Sequence, residues 1–131
     1  MKKNKQEEIL NKYPKIFAQF TWSPQATAMC WGLECGDGWL PLIDALCNDI
    51  QKYIDISDVP QIQATQVKQK FGELRFYYSP YEKEIDKLIW EACSHSMETC
   101  EECGSTDKVT MTKGWISPKC EECMKKYQRQ K

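Results

Sequence analysis

Apolar residues recur along this chain with two different periods, and each change of period marks an element. From Trp39 onward, Leu42, Ile43, Leu46, Cys47, Ile50 and Ile54 follow at steps of three and four, the spacing that lines up side chains on one stripe of an α-helix. This helix is predicted to start from the turn Gly36-Asp37-Gly38, with Asp37 as N-cap and Pro41 tolerated in the first turn, and to end near Tyr53. After a break at Asp55 to Pro60 the pattern becomes extended, with Ile62 and Ala64, then Leu74, Phe76 and Tyr78, at alternate positions. Gln61 to Ser79 therefore reads as a β-hairpin, in which Gly72 supplies the positive φ of the reversal and Pro80 stops the second strand. The helical period returns over Tyr81 to Met97, where Ile85, Leu88, Ile89, Ala92, Cys93 and Met97 share a face.

The flanks are less regular. A short helix is predicted around Glu7 to Lys12, and Pro14 and Pro24 prevent a long continuous one through Phe17, Phe20 and Trp22. Near the other end, Val109 to Thr112 and Trp115 to Ser117 read as short strands joined through Lys113-Gly114, followed by a helix over Glu121 to Gln130. A hairpin followed by a helix is a treble-clef-like ribbon. The expected fold is thus α+β, two amphipathic helices packed with a β-hairpin plus a C-terminal treble-clef-like zinc ribbon. It divides into a helix/β-hairpin/helix core domain (1–98) and a ribbon module (99–131) packed on that core.

Metal chemistry enters through four cysteines. Cys100 and Cys103, then Cys120 and Cys123, spell C-x2-C-x16-C-x2-C, the spacing of two knuckles that each point two sulfurs at one ion. Four protein ligands leave no open coordination position, so one structural zinc is the expected cofactor, holding the fold and activating no water. The other reading of the four is disulfides or free thiols. Cys30, Cys35 and Cys47 offer a second metal set on paper, and small buried hydrophobes are the simpler role for them.

Length and charge narrow the partners. A chain of 131 residues can bury roughly two-thirds of its unfolded surface. Eight cysteines behind the charged leader MKKNKQEE, which lacks an apolar h-region, point to a reducing interior and a cytoplasmic protein. No apolar run approaches the roughly 18 residues of a membrane span. The net charge of −1 is unevenly spread: residues 61–81 carry three basic residues against one acid, and residues 82–98 carry two lysines against five acids. Long nucleic acid demands an extended positive surface, because counterion release grows with the phosphates neutralised. This distribution suits it poorly, although zinc ribbons often take that role.

A compact phosphorylated ligand asks for less. Lys68, Lys70 and Arg75 lie among Phe71, Phe76, Tyr77 and Tyr78, joining cations that hold phosphate to rings on which a base stacks. Lys68, Lys70, Phe71, Arg75 and Tyr77 are the predicted ligand-binding residues, against the plainer reading of an aromatic core row and a solvated basic row. A further anion candidate is the Gly36-Asp37-Gly38 turn at a helix N-terminus, unless the Asp37 carboxylate already fills its amides. Material for catalysis is scant. His95 and Cys93 stand two apart on a helix and point about 200° away from each other. Glu34, Asp37, Asp44 and Glu73 are acids that the sequence alone does not pair, and no catalytic residue is expected. Trp22, Trp31, Trp39 and Trp115 are large enough to anchor a protein partner, with Trp39 assigned to the core. A two-stranded hairpin also leaves an edge for a second copy of the chain.

Three phrases carry a family resemblance: Tyr13-Pro14-Lys15-Ile16-Phe17, Glu34 to Trp39 running into Leu42-Ile43-Asp44, and above all Gln66-Val67-Lys68-Gln69-Lys70-Phe71-Gly72-Glu73-Leu74-Arg75-Phe76-Tyr77-Tyr78. In this order, and ending in the knuckle Cys100-Glu101-Glu102-Cys103-Gly104, they resemble a family of small bacteriophage and prophage proteins. The resemblance implies a source and an architecture and assigns no activity. With a phage source, the expected function is non-catalytic binding in a host cytoplasm, most simply the sequestration of a nucleotide-like immune signal as an anti-defence protein. The alternatives are a zinc ribbon that binds nucleic acid and an inhibitor that binds a host protein directly.

Overall fold

The structure is a computed structural model that describes residues 2–23 and 25–129. The described residues form four α-helices: α1 (Lys2–Lys12), α2 (Leu40–Ser57), α3 (Lys83–Ser96) and α4 (Glu121–Arg129). Strands β1 (Leu33–Glu34), β2 (Gln63–Lys70) and β3 (Glu73–Ser79) form one sheet in that order, and β4 (Thr110–Met111) and β5 (Pro118–Lys119) form a second. The protein is α+β, and the small sheet lies between the two cysteine pairs of the C-terminal third in sequence. No helix among the described residues is long and apolar enough to cross a membrane.

The hairpin follows its apolar pattern with one correction of phase. Ala64, Val67, Leu74 and Phe76 are buried, yet Ala64 and Val67 differ in parity and would face opposite ways on a regular strand. A bulge resolves this: Ala64 pairs with Tyr78 and Gln66 with Tyr77, leaving Thr65 as the extra residue. Beyond it Lys68 lies across from Arg75 and Lys70 from Glu73, so these side chains share the outer face with Gln66 and Tyr77. The reversal uses two residues of positive φ, Phe71 at 54° and Gly72 at 83°.

The stripe of α2 is buried as its period requires, through Leu40, Ile43, Leu46, Cys47, Ile50 and Ile54. Its start differs from expectation. Asp37–Trp39 forms a short 3-10 turn, α2 begins at Leu40, and no side chain caps it. The helix also runs on to Ser57, beyond Tyr53, because Ile54 still reaches the core. Around Trp39, which is fully buried, α2, α3 and the inner face of the sheet close one core. In the ribbon, Trp115 to Ser117 is loop, and the second strand is Pro118–Lys119, paired with Thr110–Met111. Gln130, expected within the last helix, lies outside the described residues.

Candidate metal centre and ligand cleft

Two turns build the metal centre. Cys100 to Gly104 forms the first knuckle, in which the Gly104 amide donates to the Cys100 carbonyl (2.9 Å) and the Cys103 amide to the Cys100 sulfur (3.5 Å). Gly104 takes φ 87°, a region in which a side chain is strained. The second pair straddles the start of α4, where the Met124 amide donates to the Cys120 carbonyl (2.8 Å). All four sulfurs lie within 4.8 Å of one another, and no other cluster of potential ligands forms among the described residues. Cys103 Sγ and Cys120 Sγ are 3.6 Å apart. Four sulfurs bound at about 2.3 Å to a tetrahedral ion stand about 3.8 Å from each other, so the set fits a single metal ion.

The electrostatics agree with the geometry. Burial alone would raise the Cys100 thiol, but the amides of Cys120, Cys103 and Glu102 aimed at its sulfur outweigh it and bring it down to about 7. Cys123 is pushed up by burial and then by the neighbouring cysteines. A divalent ion removes that conflict by replacing the protons. Three of the four cysteines are buried and Cys103 is exposed.

The metal segment is fastened to the helices by backbone. Gly38 N–H donates to the Glu101 carbonyl (2.7 Å), Gly36 N–H to Glu101 Oε2 (2.8 Å), and Trp39 Nε1 to the Thr99 carbonyl (2.9 Å). A Cβ on Gly36 or Gly38 would run into the backbone of Cys100 or Glu101. The Gly36 and Gly38 amides are therefore committed to Glu101 of the knuckle and are not open to an anion. Glu101 Oε1 accepts from Gln69 Nε2 (3.0 Å) and Ser117 Oγ (2.7 Å), so one carboxylate joins the turn, the hairpin and the ribbon. Sequence reasoning missed Glu101. Its signal was an acid inside a knuckle beside two glycines that need a close neighbour.

The predicted ligand residues divide between clefts. Lys68, Lys70 and Phe71 meet Gly114, Trp115 and Ile116 around a cleft of about 270 Å³, where the hairpin tip abuts the ribbon loop. Lys70 Nζ sits 5.8 Å from the Phe71 ring centre. Phe71 and Trp115 remain 71% and 80% exposed. Trp115, read from sequence as a partner anchor, thus becomes part of the candidate ligand site. Arg75 and Tyr77 instead line a cleft of about 470 Å³ between β3 and α3, with Trp90 and Cys93. There the Arg75 Nη2–Glu73 Oε1 pair (3.1 Å) engages the guanidinium, and burial pushes the Cys93 thiol up to about 11.

The remaining acids are dispersed. Asp44 accepts from Tyr13 Oη (2.6 Å) and Lys12 Nζ (3.1 Å), and Glu34 accepts from Gln66 Nε2 (3.3 Å). Burial pushes Cys35 up to about 12, with Glu101 and Asp37 adding to the effect. Cys30, Cys35 and Cys47 do not gather, and His95 is exposed near the end of α3. The outward Leu74 amide of β3 donates to Ser96 Oγ (2.8 Å), and β1 covers the other side of the hairpin, so less free edge faces a second copy than a bare hairpin would leave. No family model, curated protein or solved structure matches the chain.

Proposed function

We propose that this is a non-catalytic binding protein that sequesters a small phosphorylated, nucleotide-like ligand at the junction of hairpin tip and ribbon loop. One observation carries the reading: two lysines and two aromatic residues, Lys68, Lys70, Phe71 and Trp115, line the same cleft. A heteroaromatic base stacks against the Phe71 and Trp115 rings and its phosphates meet Lys68 and Lys70, which is the division of labour that single-stranded nucleotide sites use. The backbone of Phe71 supports it. A bulky residue at positive φ is unfavourable where Asn is the usual occupant, and such local cost concentrates at working sites. Arg75 and Tyr77 lie outside this contact and leave the first set of ligand residues.

The metal is zinc in this proposal, because an all-thiolate tetrahedral set in a redox-inert structural role suits it best. Its place is to hold the ribbon loop, and so Trp115, against the hairpin. The phage source and the anti-defence role rest on the resemblance of the hairpin phrase, with a bacterial nucleotide immune signal as ligand in the host cytoplasm.

The test is native mass spectrometry of the purified protein after exposure to a nucleotide panel, with Lys70→Glu and Trp115→Ala beside it. Capture and release of an unchanged nucleotide, lost in both variants, is the expected result. A converted product would make the protein an enzyme. Retention of oligonucleotides alone, with steep salt dependence, would mark a nucleic-acid binder. If no small molecule binds and a host protein co-purifies through Trp115, the protein acts by direct inhibition.

A further inference from the structure

A third cleft, of about 640 Å³, lies beside the bulge of β2, walled by Gln19, Trp22, Thr27, Thr65, Gln66 and Tyr77, among others. None of the described residues lining it is charged, in a chain of which 28% is Asp, Glu, Lys or Arg. Trp22 and Tyr77 stay 46% and 44% exposed, so each offers ring surface. The polar wall is held in place: Thr27 Oγ1 donates to Gln19 Oε1 (2.6 Å), and Gln19 Nε2 donates to Gln63 Oε1 (3.1 Å). Thr65 is the bulged residue, of the kind that re-aims a side chain out of a strand. Among the described residues, neither its hydroxyl nor that of Ser79, another lining residue, has a hydrogen-bond partner.

We propose that this cleft binds a neutral polyhydroxylated ligand, a pyranose ring or short neutral oligosaccharide, at a site separate from the Lys68/Lys70 cleft. A charged ligand would find no counter-charge in the wall. An apolar one would strip water from its hydroxyls and amides without replacing the hydrogen bonds. A sugar ring carries apolar faces for Trp22 and Tyr77 and an edge of hydroxyls, each both donor and acceptor, for Thr65, Ser79 and Gln66. A proline-rich segment would stack on the same rings, but its carbonyls only accept and its prolines supply no N–H to the wall.

The experiment is saturation-transfer NMR of the intact protein with maltotriose, cellotriose and triacetylchitotriose, with a deca-proline peptide in parallel. At least one trisaccharide should receive saturation and shift the Trp22 indole resonance. Trp22→Ala and Thr65→Val should each weaken it at least roughly tenfold, the scale of an interface anchor, while Lys70→Glu leaves it unchanged. Tyr77→Ala serves as a second aromatic variant if Trp22→Ala alters the amide spectrum. Failure of all three sugars to bind overturns the proposal. So does sugar binding that survives both aromatic variants, or deca-proline binding in the absence of any sugar.

Discussion

The helix–hairpin core and the metal ribbon reach order by different means. Among the described residues the core cluster joins 22 buried side chains, from Ile9 through Trp39 and α2 to Ala92, whereas the ribbon cluster holds Cys100, Cys120 and Cys123 with Val109 packed beside them. Removing one side chain from the first leaves many neighbours to share the loss. In the second, almost everything that excludes water is also a ligand. Metal binding there is folding, while the core folds by burial of apolar surface. The two meet along a seam of backbone contacts, the Glu101 carboxylate, the Gln69 amide, and Met111 and Ile116 lying against Gly72. The cleft between hairpin tip and ribbon loop has one wall on the core and the other on the ribbon.

The largest way to break this contrast is to remove the metal. Chelation, or Cys100→Ser, withdraws binding free energy of roughly 10 to 16 kcal/mol from the ribbon. Metal analysis should find about one ion per chain before and none after. Hydrogen exchange should show ribbon amides losing protection while those of α2, β2 and β3 keep theirs. Simultaneous collapse of both parts would show that the core depends on the ribbon.

Next in size is the seam itself. Gly38→Ala forces a Cβ into the Cys100 and Glu101 backbone, which neither can yield without disturbing the knuckle. A loss of about 1–3 kcal/mol is expected in denaturant unfolding, the range for overpacked interiors. Metal content should persist at saturating zinc, because the sulfurs are untouched.

Phe71→Asn sharpens the comparison in the opposite direction. Asn before Gly is the preferred pair for a reversal with two positive φ values, and relieving an unfavourable conformation should stabilise the hairpin by up to about 1 kcal/mol. Ligand capture should fall at the same time. Higher melting temperature with capture intact would remove Phe71 from the site.

The smallest effect concerns α1 and α2. The Tyr13 hydroxyl bonded to Asp44, aided by Lys12 and opposed by burial, holds the Asp44 carboxyl below its ordinary range. A depressed folded value means the contribution is complete above the unfolded value near about 3.9 and disappears as pH falls through the folded one. Because the pair is well exposed, Asp44→Asn should cost under about 1 kcal/mol at neutral pH and nothing at the acid end. Urea unfolding at both pH values checks this; an equal loss at each would assign the effect to packing.

Much of the architecture was legible because periodicity is local. The 3.6-residue stripe of α2 and α3, the alternation of β3 and the cysteine spacing each state where side chains point, and burial follows from that, except at Met97, which lies past the end of α3 and is exposed. Boundaries were less so: Asp37 has the chemistry of an N-cap, but its turn is spent on the knuckle, sixty-odd residues away, as the Gly36–Glu101 contact shows. Thr65 carries no mark of a bulge, and only the burial of both Ala64 and Val67 demands one.

By itself the amino-acid sequence determined the α+β class, the hairpin, the amphipathic helices and which four sulfurs form the cluster, since these depend on spacing within short segments. Only the tertiary structure decided that Glu101 joins three elements, that Trp115 stands beside Lys70 and Phe71, and that Arg75 and Tyr77 line a different cleft. Those juxtapositions depend on how separate elements pack, and close packing fixes them through contacts between residues whose distance along the chain carries no information about their distance in space.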